Sequence, residues 1–371
     1  MFNKQFLITI FTLTGTIIGA GILGLPYVFS KSGFLFGLFW LFFLGLIVLY
    51  VFLCLGEVSL RTKSFHQLPG LAEIYLGKKG KSIMLFTFIF GSYTALIAYL
   101  IGEGESLSFL FYGHTQYSFL FALSVWMCMS LLLREGLRGL KKVEFLGVTG
   151  VIIIILTIVF TYLPSVTYSN FTFINSSLWY LPFGVVFFAL LGFSSIPELK
   201  LQIKGSEKLF FKAIISGVTI PIILYTLFCF IFVGVLGENV PVIATLGFGP
   251  IVSLLGVFTM LTSYFVLSFA LMDVYRYDLD FSKRISYCLA TIIPLGLFAL
   301  LYVFNFLNFV SILGIGGVIT GGLTGILILL MNKSAKVKGK RKPEFSMWIN
   351  WLVIILLSIV FISGIVFELV L

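Results

Sequence analysis

The residues of this chain most able to do chemistry in an apolar setting are not ionisable ones. Residues 15–27 read GTIIGAGILGLPY, four glycines and a proline inside a long hydrophobic run. Glycine has the weakest helix propensity short of proline, so this stretch predicts a helix that unwinds partway. A second interruption lies in LPFGVVFFALLGFSSIPELK, at Gly192 to Ser195 with Pro197 just after. Unwound backbone in hydrocarbon persists only where it lines a cavity or binds something, because its amides and carbonyls need partners. The competing reading is close helix packing through small residues, and Gly15 and Gly19 have that spacing. Two interrupted helices in corresponding positions of two halves point instead to a ligand site near the bilayer midplane. Free amides carry partial positive charge and free carbonyls partial negative charge. A zwitterionic amino acid would use both, without a charged side chain in the pocket.

Few other side chains compete. Glu103 and Glu105 lie late in the third hydrophobic stretch, where acidic residues are rare and suggest proton carriage, or else an outer vestibule at the water boundary. Thr259 with Thr262 or Ser263 shares one helix face. Glu57 with Arg61 and Asp273 with Arg276 have helical pairing distances, and Glu198 stands where a helix start favours an anion. His66 and His114 are loop residues with no ligand partners at metal spacing, and Cys54, Cys128, Cys229 and Cys288 read as packing residues within helices. No nucleophile and base pair up at membrane depth, so an enzyme is disfavoured, and neither a metal nor a cofactor is expected.

The elements that must position these residues are membrane helices. Of 371 residues, 60% are hydrophobic and 10% charged, against about 45–50% and about 25% in a soluble domain. Eleven apolar stretches of the length needed to span hydrocarbon are expected, at 5–29, 34–60, 83–111, 118–133, 143–163, 178–199, 210–236, 250–273, 285–303, 309–331 and 347–371. The chain is therefore read as an all-α polytopic membrane protein. The first stretch is too long for the core of a cleaved signal peptide and is expected to be retained. With the N-terminus in the cytoplasm and the C-terminus outside, every basic residue but Lys31 of the 24 falls in a cytoplasmic loop or terminus. The +10 net charge then marks the face toward anionic lipid. A nucleic-acid partner is disfavoured, since the charge is spread over short loops. The first and sixth spans start on opposite sides, so residues 1–163 and 164–332 are expected to be inverted five-helix repeats. Residues 333–371 add a basic loop and one helix. The loop 61–81, with Leu68, Leu71, Ile74 and Tyr75, is expected to hold a short amphipathic helix, and Pro221 and Pro294 are expected to kink their helices.

GTIIGAGILGLPY, GSYTALIAYLIGEGESL, FALLGFSSIPEL and LTSYFVLSFALMDVYRYD, in this order, resemble amino acid permeases of the amino acid/polyamine/organocation superfamily. The likeness is greatest to the aromatic (tryptophan/tyrosine) permeases and the amino acid/auxin permeases. It implies the leucine-transporter fold of five plus five inverted helices and secondary active uptake across the plasma membrane, coupled to Na⁺ or H⁺. By position, the resemblance places the substrate's carboxylate and amino group against Gly19, Ala20, Gly21 and Ile22 and against Gly192, Phe193, Ser194 and Ser195. Tyr93 or Tyr99 would approach from the third helix, with Tyr99 favoured, and Phe188 or Phe193 would close over the ligand. In sodium-coupled relatives, hydroxyls placed like Thr259, Thr262 and Ser263 join carbonyls placed like those of Gly15 and Ile18 around one ion. Similar permeases often carry an acidic residue near the place of Glu105. A neutral amino acid, aromatic or branched, is the expected substrate, with no obligatory protein partner. A non-transporting amino-acid receptor on the same scaffold, like the membrane components of spore-germinant receptors, is the alternative.

Overall fold

The computed structural model describes residues 4–135, 140–304, 306 and 308–369; the side chains of 135, 140–148 and 251 are outside the description. Arg138 and the basic side chains of Lys141 and Lys142, counted above, thus fall outside it. Every element among the described residues is helical. The chain runs through α1 (Lys4–Ile17), α2 (Gly21–Ser32), α3 (Phe34–Arg61), α4 (Leu68–Tyr112), α5 (Ser118–Glu135), α6 (Leu140–Tyr162), α7 (Pro182–Ala189) and α8 (Ile196–Gln202). It continues through α9 (Phe210–Leu236), α10 (Pro250–Asp273), α11 (Lys283–Phe304), α12 (Phe309–Gly316), α13 (Gly322–Lys338) and α14 (Trp351–Leu369). Among the described residues, eight helical stretches are long and apolar enough to cross a bilayer. The bent pair α1 and α2 adds a ninth, and Ser118–Arg134 and Thr149–Ser165 are shorter apolar helices. The protein is multi-pass.

Helix α3 shows how such a sequence is oriented. Leu35, Phe39, Phe42 and Leu46, at helical spacing, form an exposed apolar stripe facing the surroundings. Leu41, Leu44, Val48, Val51 and Leu55 are buried on the other side. The last helix, α14, exposes Leu352, Ile355, Leu356, Ile359 and Ile362, and packs through Phe361 and Gly364.

Several expectations are refined. The amphipathic helix of loop 61–81 exists, but it is the first part of α4, joined to the long span through Gly77 at φ 77°, a left-handed conformation that favours glycine. Leu68, Leu71 and Tyr75 are buried there, whereas Ile74 is exposed. Helices α9 and α11 continue through Pro221 and Pro294 as single helices. Asp273 and Arg276 do not pair: the chain changes to a π-turn at Val274–Asp278, which alters the helical offset, and the guanidinium lies 5.2 Å from the Tyr277 ring centroid. Glu198 lies in the first turn of α8, as expected, and its Oε1 accepts a hydrogen bond from Gln67 Nε2 at 3.1 Å.

Basic residues from three loops meet at one end of the bundle. Lys200 Nζ donates to the Thr62 carbonyl at 2.6 Å, and Lys338 Nζ to the Tyr75 carbonyl at 3.1 Å. Lys31 stands apart, donating to the Glu238 carbonyl at 2.8 Å. At the basic end, the expected Glu57–Arg61 pair forms at 2.8 Å but is part of something larger. The fully buried Glu57 carboxylate also accepts from Lys336 Nζ at 2.8 Å, Asn332 Nδ2 at 3.0 Å, Ser346 Oγ at 3.0 Å and the Met347 amide at 2.7 Å. The extended stretch 339–350 is laid against α3, its Lys340 and Arg341 amides both donating to the Arg61 carbonyl at 3.1 Å.

Candidate functional site

Both predicted interruptions are present. Helix α1 ends at Ile17 and α2 begins at Gly21, with their axes 56° apart. Only Ile18, Gly19 and Ala20 leave the helix; Gly24 and Pro26 lie within α2. The second span loses its helix from Leu190 to Gly192, passes through a 3₁₀ turn at Phe193–Ser195, and resumes as α8. The unwound segment is longer than Gly192 to Ser195 and starts two residues earlier.

The two breaks lie side by side. A Cβ on Gly21 would stand 2.5 Å from the Ala189 Cα, so the start of α2 touches the end of α7 backbone to backbone. Gly24 is similarly a packing residue, since its Cβ would meet Leu313 Cδ1 at 3.1 Å and Val185 Cγ1 at 3.3 Å. Gly19 differs: the nearest atoms to its Cβ position are Tyr99 Oη at 3.5 Å and Ser263 Oγ at 3.8 Å. Gly21 and Gly24 therefore close the helices together, and Gly19 faces polar groups from α4 and α10.

The break is held by a residue that the sequence reading did not single out. Tyr225, buried in the middle of α9, places its hydroxyl 2.9 Å from the carbonyl oxygens of both Ile17 and Ala189. These carbonyls end α1 and α7, so one phenol serves the orphan acceptors of both broken helices. A tyrosine within an otherwise apolar helix was the only available signal, and nothing in the spacing said what it would meet.

The other predicted residues divide. Tyr99 reaches Gly19, whereas the Tyr93 hydroxyl is engaged with Tyr275 Oη at 2.5 Å and the Leu289 carbonyl at 3.1 Å. Ala20 and Ile22 are buried, Ser194 is exposed, and Ser195 Oγ donates to the Gly192 carbonyl at 2.8 Å. Phe193 is buried against Phe52, ring centroids 4.7 Å apart. Phe188 is half-buried, beside the π-turn Gly317–Gly321: the Cβ position of Gly317 lies 2.7 Å from its amide nitrogen.

The hydroxyls of α10 are turned to their own helix. Thr259 Oγ1 donates to the Leu255 or Gly256 carbonyl, Thr262 Oγ1 to Phe258 or Thr259, and Ser263 Oγ to Thr259 at 2.8 Å. Gly15 lies in the last turn of α1 and Ile18 at the break itself. The acidic pair separates by burial. Glu103 is fully buried with neither carboxylate oxygen hydrogen-bonded, and Glu105 is half-buried.

Residues 2–247 match the tryptophan/tyrosine permease family. Tyrosine-specific transport system 1 of Haemophilus influenzae is 28% identical over 233 residues, 61% of this chain and 57% of that protein. Vacuolar amino acid transporter 2 of Saccharomyces cerevisiae is 29% identical over 160 residues, 40% of this chain and 33% of that protein. The matches to these two relatives thus span about a third to just over half of their length. Glutamine transporter 2 of Aliivibrio fischeri is 26% identical over 340 residues, 83% of both chains. The crystal structure of MhsT in complex with L-phenylalanine superposes with a TM-score of 0.72 at 16% identity, covering 99% of this chain and 98% of that one, so the fold is shared.

Proposed function

The chain belongs to the tryptophan/tyrosine permease family, and from that premise we propose that it is a secondary active transporter importing neutral amino acids, aromatic or branched. The observation that carries the proposal is the pair of adjacent helix breaks joined by Tyr225. Around Gly19, a small ligand would meet main-chain dipoles from both breaks together with the Tyr99 and Ser263 hydroxyls. Tyr225 already occupies the carbonyls of Ile17 and Ala189. The substrate's ammonium then turns to the carbonyls left within Ile18–Ala20 and Leu190–Gly192, and its carboxylate to the amides of Gly21 and Ile22 at the start of α2.

In this reading the chain has eleven spans, with 1–163 and 164–332 as inverted repeats in the plasma membrane, the N-terminus in the cytoplasm and the C-terminus outside. One bundle rocks against the other to expose the site alternately, coupled to H⁺ or Na⁺. The Na⁺ positions are Gly15, Ile18, Thr259, Thr262 and Ser263; the H⁺ positions are Glu103 and Glu105. Phe188 or Phe193 closes over the ligand.

Counterflow of labelled tyrosine, phenylalanine, leucine and glutamine into proteoliposomes tests the proposal. Saturable exchange of at least one supports it. Binding without flux under either a Na⁺ or a H⁺ gradient would move the chain to the receptor class.

A further inference from the structure

Three fully buried polar side chains, all without hydrogen-bond partners, come from two neighbouring elements: Glu103 and Ser106 on α4, and Thr245 on the 3₁₀ turn Ala244–Phe248. Ser106 and Thr245 face the same point, and Glu103 lies on the Ser106 face of α4. The Cβ position of Gly256 on α10 lies 3.1 Å from Thr245 Oγ1, 3.6 Å from Ser106 Oγ and 3.4 Å from Leu23 Cδ1 on α2. Glu103 precedes Ser106 by three residues and follows Tyr99 by four, so all three share one face of α4, the carboxylate about 6 Å along the axis from Tyr99. Buried polar groups are nearly always hydrogen-bonded, and an ionised carboxylate with no partner in a low-dielectric interior costs several kcal/mol. Three such groups together mark a place built for something positively charged.

Among the described residues, no protein cation pairs with Glu103. The flanks of Glu103 are apolar or uncharged: the Cβ position of Gly102 faces Met260 Sδ and Phe309, and that of Gly104 faces the Ser118 carbonyl and Ala122. The turn at Ala244–Phe248, α10 and α12 carry no Lys, Arg or His. Lys31 on α2 is bonded to the Glu238 carbonyl, and Glu105, two residues on, is a second acid and supplies no cation. The basic residues of α5, α11 and α13 (Arg134, Lys283, Arg284, Lys333, Lys336 and Lys338) lie toward the opposite ends of those helices. Tyr264 Oη on α10 is also unpartnered but carries no charge.

We infer that Glu103, Ser106 and Thr245 form the site at which the coupling cation travels, a proton on the carboxyl or a Na⁺ held by the carboxylate and the two hydroxyls. This rests on the transporter reading and chooses within it, against a cation among the α10 hydroxyls Thr259, Thr262 and Ser263, because those have hydrogen-bond partners whereas Glu103, Ser106 and Thr245 have none among the described residues. The position explains how cation and substrate would be linked. Leu23 belongs to the half-helix whose start borders the first break, and Tyr99 touches Gly19 one turn from Glu103 on α4. Displacing α2 would move Leu23 away from the Thr245 and Ser106 hydroxyls and alter the first break in one movement.

The test uses the full chain in lipid nanodiscs and proteoliposomes. The thermal midpoint of the wild type is measured with NaCl replacing choline chloride at constant pH, and separately from pH 5 to 8 without Na⁺. Whichever arm shifts it identifies the cation. Glu103→Gln, which keeps the shape and removes the charge, should abolish that shift. It should also reduce gradient-driven accumulation of the transported amino acid at least tenfold; Ser106→Ala with Thr245→Val should weaken the cation response in the same arm. A Glu103→Gln variant that accumulates substrate like the wild type, or keeps the wild-type cation response, overturns the assignment. Absence of amino acid flux in the wild type would sink the transporter reading instead, while the thermal arm still decides whether a cation binds at Glu103.

Discussion

Adding one methyl group at either of two glycines separates the packing role of the first break from the binding role proposed for it. At Gly21 the new Cβ would lie 2.5 Å from Ala189 Cα and 2.6 Å from its Cβ. Carbon atoms in contact rest about 3.5–4.0 Å apart, so α2 and α7 would have to part by about 1 Å along a backbone contact that no rotamer relieves. Overpacking of this kind costs about 1–3 kcal/mol, more than the roughly 0.5–1 kcal/mol that replacing a helical glycine returns. At Gly19 the same methyl meets only Tyr99 Oη at 3.5 Å and Ser263 Oγ at 3.8 Å, ordinary contact distances, so the fold has room for it. A ligand bound as proposed would not, because the methyl takes up space between the unwound backbone and both hydroxyls. Gly21→Ala should therefore lower the thermal midpoint in nanodiscs. Gly19→Ala should leave that midpoint near wild type while raising the half-saturating substrate concentration about tenfold, or about 1.4 kcal/mol. Scanning fluorimetry and counterflow on the same preparations read both quantities. A wild-type midpoint for Gly21→Ala would refute the tight-contact argument, and unaltered affinity in Gly19→Ala would remove the ligand from this position.

Three further outcomes follow from the hydrogen bonding. Tyr225→Phe leaves the Ile17 and Ala189 carbonyls without their shared donor, a loss of about 1–3 kcal/mol, and should lower both the thermal midpoint and the counterflow rate of correctly inserted protein. Glu57→Ala leaves Lys336 and Arg61 without the carboxylate between them and should cost about 3 kcal/mol or more, whereas Glu344→Ala, which breaks the more exposed pair with Arg341, should cost under about 1 kcal/mol. Comparing the two midpoints checks this. Thr262→Ala with Ser263→Ala removes hydroxyls bonded to their own helix and should leave the cation response within about twofold of wild type; its loss would return the cation to α10.

The helix breaks were legible in the sequence because glycine weakens a helix wherever it sits, and four in ten residues leave a mark that no packing partner can hide. The division of labour among those glycines was not. Gly19, at the break, and Gly21 and Gly24, against α7 and α12, look alike until Ala189, Val185 and Leu313 are placed opposite them. Tyr99 could be preferred over Tyr93 only by likeness, and their difference lies in Tyr275, far along the chain. Local pairs were read well where the helix stayed regular, as at Glu57 and Arg61, and failed where a π-turn shifted the offset, as at Asp273 and Arg276. Tyr225, Ser106 and Thr245 had no sequence signature, since a hydroxyl in an apolar helix acquires meaning only from the atoms that face it, or do not.

The Glu57 cluster also orders events during synthesis. Arg61 is at hand four residues on, but Lys336 follows Glu57 by 279 positions, so at about 5–20 residues per second the carboxylate waits roughly tens of seconds for its second cation. Until then the early helices lack those partners at their end, and the late segment that supplies them, the end of α13 and residues 339–350, acts as a clasp on the finished bundle. A chain ending at residue 332 would leave Glu57 without Lys336, Ser346 and the Met347 amide, so the two ends of the sequence are tied through one carboxylate.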